Sequence, residues 1–167
     1  MRVVQTMHER TLQRINRGHD HACLVDAVAQ CQERGLRVCL HLILGLPGET
    51  RDEMLASVNE VNRLAVDGVK LHHLHVLRGS LFEEEYRRGS LRLFQRDEYV
   101  QLVCDALELL DPRILIHRLM GDGRSELVAP DWSRRKLELL NCIDAELIKR
   151  DSRQGSRLSE CTRLHNY

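Results

Sequence analysis

The chain predicts an α/β fold. Short apolar runs alternate along it with segments of helical periodicity. Glycines and capping residues stand at several of the joints between them. The length of 167 residues sets the extent. A closed (β/α)8 barrel needs about 250 residues and rarely fewer than about 200, so this chain can supply part of a barrel or a small open sheet.

The first apolar run, residues 2–5, follows Met1 directly, and an element without a lead-in implies further sequence upstream. Asp20 is placed to cap a helix running to about Arg34, with Leu24, Ala27, Val28 and Cys31 on its apolar face and Gly35 as its stop. Residues 37–44 (RVCLHLIL) read as a buried parallel strand. After Gly45-Leu46-Pro47-Gly48-Glu49, Thr50 and Glu53 make a capping box for a helix whose core face is Met54, Val58, Val61 and Ala65. Gly68 closes that unit, and residues 69–76 (VKLHHLHV) form the next strand. A short charged helix follows at 82–88. Asp97 then caps a helix with Tyr99, Val103 and Leu107 as its buried stripe. Residues 114–119 (ILIHRL) give a further strand, and Ser133 caps a last helix to about Lys149. This is three to four β/α units in a domain of residues 1–150, followed by a polar, aperiodic tail, 151–167, expected to be disordered.

Twenty-five Lys and Arg balance twenty-five Asp and Glu, so net charge gives no pull toward nucleic acid or an anionic membrane. No apolar run approaches the ~20 residues of a membrane span, and the start resembles no secretory signal. The six cysteines, Cys23, Cys31, Cys39, Cys104, Cys142 and Cys161, have no C-x-x-C pairing and read as the reduced thiols of a cytoplasmic protein. From Lys149 onward, Lys149, Arg150, Arg153, Arg157 and Arg163 outweigh Asp151 and Glu160. Such a tail can touch RNA phosphates, but a solubilising end accounts for it more simply.

Three stretches together resemble radical S-adenosylmethionine enzymes: Gln5-Thr6-Met7-His8-Glu9 continuing through Asn16-Arg17-Gly18, then Leu44-Gly45-Leu46-Pro47-Gly48-Glu49, then Lys70-Leu71-His72-His73-Leu74-His75. The later run, with Ile116-His117-Arg118-Leu119, Gly121-Asp122 and Ala129-Pro130-Asp131-Trp132, is similar to the YhcC-type subgroup. The resemblance implies a partial (β/α) TIM-type barrel with its site at the C-terminal strand ends. It also implies two cofactors, S-adenosylmethionine and a [4Fe–4S] cluster whose electron releases a 5′-deoxyadenosyl radical.

By resemblance, Gln5 holds the cofactor through its amide, Arg17 meets its carboxylate, His41 stands where relatives carry a ribose-binding Asp, and Gly45 shapes the turn beside it. Lys70, His72, His73, His75, His117 and Arg118 are candidates for a substrate pocket. Period-2 alternation puts His73 with His75 and Lys70 with His72 on opposite faces. A His-x-His pair suits a metal, but no third ligand is evident, so no protein-bound metal is expected. The resemblance implies that the three-cysteine motif C-x-x-x-C-x-x-C holds the cluster, and that motif is absent. The chain thus reads as the C-terminal portion of such an enzyme, inactive alone, with an N-terminal half-barrel as its partner. The alternative is a cluster-free module that binds a ligand or partner.

Overall fold

The structure, a computed structural model, describes residues 4–122 and 125–158. In chain order its elements are α1 (Glu9–Arg14), α2 (His21–Glu33), β1 (Cys39–Leu44), α3 (Arg51–Arg63), β2 (Gly68–His73), β3 (Val76–Leu77), α4 (Leu81–Arg87), α5 (Arg96–Leu109), β4 (Leu115–Arg118), β5 (Leu127–Ala129), a 3-10 turn (Asp131–Arg134) and α6 (Lys136–Lys149). The main sheet is parallel, in the order β1-β2-β4, and β3 pairs with β5 antiparallel. Extended residues 4–6 run beside β1, where the Ile43 N–H donates to the Gln5 carbonyl at 2.8 Å.

The pleat divides the sheet into two unlike faces. Leu40, Leu42 and Leu44 alternate with Cys39, His41 and Ile43 along β1, and the leucines are the buried set. With Val69 and Leu71 they pack against α2, α3 and α5 through Leu24, Val28, Val58, Val61, Val103, Ala106 and Leu109. Cys39, His41, Ile43, Lys70 and His72 occupy the opposite, only half-covered face. Helices on one side of a parallel sheet are the arc of a β/α barrel, so this open face corresponds to a barrel's interior. α5 lies between the sheet and α6 and is buried on nearly every side, which accounts for its buried Asp105 and Glu108 beside apolar neighbours.

The caps at Asp20 and Thr50 form as the spacing predicts. The Asp20 carboxylate accepts from Cys23 N–H at 2.7 Å, and the Thr50–Glu53 capping box is complete. Two other starts differ. α5 begins after Gln95, whose N–H donates to Glu98 at 2.9 Å, while Asp97 sits within the first turn, where its charge suits the helix end. Ser133 caps no α-helix: its hydroxyl donates to the Pro130 carbonyl within the 3-10 turn, and α6 starts two residues after that turn ends. The strand expected over 69–76 stops at His73. Val76 and Leu77 then leave the sheet to pair with β5, an element that three residues of sequence do not announce. The stretch after α6 folds back onto α5: Gly155 N–H bonds the Leu107 carbonyl, Arg157 N–H the Glu108 carbonyl, and the Gln154 amide reaches two carbonyls, of Asp111 and Ile114. Residues 159–167 of the expected tail lie outside the described residues. None of Cys23, Cys31, Cys39, Cys104 and Cys142 is in a disulfide. No helix among the described residues is long and apolar enough to cross a membrane.

Candidate functional site on the open face

Sheet register gathers the site. His41 of β1 stands opposite Lys70 of β2, and Lys70 opposite Arg118 of β4. One lateral row thus carries an imidazole, an ammonium and a guanidinium across three strands. Arg118 reaches this row through an irregularity: Val69 pairs with Ile116, but the next residue, Lys70, pairs with Arg118, leaving His117 as an inserted residue. The His117 ring lies over Gly68, whose missing side chain makes the room; a Cβ there would meet it at 2.6 Å.

His72 follows on the same face as Lys70. Its ring meets His41 edge-on, with centroids 4.1 Å apart, and its Nδ1 crowds Gly121, as does His75. Burial, then the Lys70 and Arg118 charges, hold His41 below the ordinary imidazole range. Burial, with His41 and Arg118 after it, depresses His72 to about 3. Both rings are therefore neutral near pH 7. Arg118 pairs with Asp122 at 2.8 Å, and Asp122 also holds Lys136 at 3.0 Å.

His73 goes elsewhere. It points into the helix layer against Trp132 (4.3 Å) and Tyr99 (5.0 Å), and burial first, then His75, pushes it down to about 2. Its Nε2 stands 2.8 Å from Nε2 of His75, so one ring donates and the other accepts. Thus His72 and His73, adjacent in sequence, turn to opposite sides of the sheet, with His75 close to both.

Gln5 lies opposite in pleat to the core residue Val4, on the side of His41. Thr6, part of the first motif but given no role by it, is buried and donates its hydroxyl to Glu49 at 2.5 Å, tying the first segment to the loop after β1. Arg17 follows α1 after the left-handed Asn16; its near neighbour Ile15 packs with Leu46, Leu74 and Val76 at the C-terminal strand ends. Gly45 has φ 88°, and a Cβ would fall 2.8 Å from the Phe94 ring. Gly45→Ala should therefore cost about 1–2 kcal/mol from left-handed strain alone, read as a lowered denaturant midpoint. An unchanged midpoint would mean that Gly45 does not hold the left-handed backbone. A cavity of about 310 Å³ opens beside this loop, between Arg14, Pro47, Leu91 and Phe94.

Comparison with known proteins agrees with this geometry. A family model described as Radical SAM superfamily matches residues 4–61, and one described as Radical_SAM C-terminal domain matches residues 66–149. The chain belongs to the radical SAM superfamily. It is 46% identical to the Bacillus subtilis (strain 168) protein YtqA over 153 residues, 91% of this chain and 48% of that protein. It is 38% identical to YhcC of Escherichia coli (strain K12), over 80% of this chain and 43% of YhcC. The chain spans about half the length of the curated relatives it matches. The solved structure of an N-terminally deleted Elp3 from Methanocaldococcus infernus superposes with a TM-score of 0.78, covering 90% of this chain and 36% of that one at 21% identity, a likeness of fold alone.

The two cofactors implied by the family fare differently against these residues. Gln5 Oε1, His41 Nε2 and His72 Nε2 are buried without a hydrogen-bond partner among the described residues. Buried polar atoms of that kind are normally satisfied, so the open face suits a polar ligand such as S-adenosylmethionine. A cluster does not fit. The five described cysteines are scattered over α2, β1, α5 and α6, and no three His, Cys, Asp or Glu among the described residues converge on a point.

Proposed function

We propose that the open face is the S-adenosylmethionine and substrate side of a radical SAM enzyme whose cluster is held by cysteines outside these 167 residues, on a partner half-barrel. The observation that carries the reading is the set of unsatisfied buried atoms on Gln5 and His41, on the open face beside β1. With its cluster, the bound cofactor supplies hydrogen-atom abstraction. The chain's own residues hold and shield. The Gln5 amide and a neutral His41 offer hydrogen bonds to polar cofactor edges, and Arg17 offers a guanidinium to a carboxylate. Gly45 keeps the turn beside them close to the sheet. Leu46, buried with Leu74 and Val76, keeps water from the strand ends.

Calorimetric titration of the full chain with S-adenosylmethionine tests this directly. Binding is expected, weakened about tenfold or more in Gln5→Ala and His41→Ala. Co-expression with a segment bearing C-x-x-x-C-x-x-C should then yield 5′-deoxyadenosine. If the chain, alone and so completed, binds no S-adenosylmethionine, the face is instead a cluster-free module.

A further inference from the structure

Resting on that reading and extending it, we infer that the substrate presents an oxyanion, a phosphate or a carboxylate, to Lys70 and Arg118 on the open face. Adjacent strands lie about 4.8 Å apart, so the register His41–Lys70–Arg118 brings three nitrogen-bearing heads within about 10 Å. The inserted His117 adds a fourth on the same side, over Gly68. Hydrogen-atom abstraction moves no net charge and has no use for a row of cations. Cations on a half-enclosed face instead hold and orient an anion, and a guanidinium fork matches two oxygens at once.

The surroundings agree. Asp122 brings a single carboxylate to Arg118 and Lys136. It is half exposed and lies at the end of the row, where an arriving oxyanion can take its place on Arg118. Lys70 and Arg118 act in the same direction on His41, and at His72 the push of Arg118 is larger than the opposing pull of Asp122. His41 and His72 each keep a buried Nε2 without a hydrogen-bond partner among the described residues. With His41 turned to the cofactor, an N–H on His72 completes the shell of an oxygen held between Lys70 and Arg118.

The full chain, labelled at histidine Cε1, is titrated with inorganic phosphate and, separately, with acetate, and followed by NMR. Saturable shifts at His41 and His72 are expected with one or both anions. The tighter of the two marks the source as phosphoryl or carboxyl. Lys70→Gln and Arg118→Gln should each weaken binding about tenfold or more, while Gln5→Ala, which strikes the cofactor reading, should leave it unchanged. Asp122→Asn, at an exposed site that should not disturb folding, should strengthen binding about threefold by freeing Arg118. No saturable shift with either anion, indifference to Lys70→Gln and Arg118→Gln, or weaker binding in Asp122→Asn overturns the proposal. So does displacement of the anion by S-adenosylmethionine, since the row would then serve the cofactor.

Discussion

Arg150→Met should destabilise the chain by about 3 kcal/mol, the scale of removing one partner from a buried ion cluster. The Arg150 guanidinium meets Asp105 at 2.8 Å, Glu146 at 2.9 Å and Glu108 at 3.3 Å, and it also contacts Gln101. Asp105 and Glu108 lie on α5 with side chains only 12% and 6% exposed. Without Arg150, Asp105 keeps Arg51, and Glu108 keeps Arg157 at 3.5 Å from a half-exposed side chain. That leaves each desolvated carboxylate a single guanidinium from a half-exposed side chain. The expected loss is a lowered urea midpoint, partly recovered when Glu108→Gln is added to Arg150→Met. A loss under about 1 kcal/mol would place the cluster among solvent-screened surface pairs.

Acid should destabilise the fold through His73. Its pKa falls from the ordinary 6.5 to about 2, chiefly by burial, and the residue is 3% exposed. The unfolded chain therefore takes up the proton first. Stability is fully present above about pH 7.5 and drains away as the pH falls through 6.5 toward 2. At pH 5 this one residue accounts for about 2 kcal/mol. His72, depressed to about 3, acts in the same direction. His73→Phe, which keeps an aromatic ring against Trp132 and Tyr99, should remove about that much of the loss between pH 7.5 and pH 5. An equal acid loss in wild type and His73→Phe would assign it to other groups.

Much of this was legible in the sequence. Alternation marked β1 and β2, and capping residues marked α2 and α3, because those signals are local. The motif order nominated Gln5, Arg17 and Gly45 for the cofactor role proposed above. Sequence alternation also split Lys70 and His72 from His73, but it could not say which pair meets the helices. That depends on leucines from β1 and valines from α3 and α5, far away in the chain. The Lys70–Arg118 neighbourhood was not legible either, because a register shift between strands leaves no trace in either strand alone. Nor was the docking of residues 150–158. The polar composition there reads as a solvated end, yet its partners are the buried acids of α5, forty-odd residues earlier.

The extra residue in β4 decouples fold from chemistry at the level of single codons. Under strict alternation His117 would face Lys70, Arg118 would be driven among the leucines beneath the helices, and Leu119 would be turned outward. With the insertion, two consecutive basic residues share one face and Leu119 keeps its place in the core. In-frame loss of codon 117 would leave a regular strand that retains the guanidinium. Loss of codon 118 would leave one that retains the imidazole. Either deletion keeps Leu119 in register with Leu71, so the bulge lets the number of basic heads on this face change while the leucine layer beneath stays aligned.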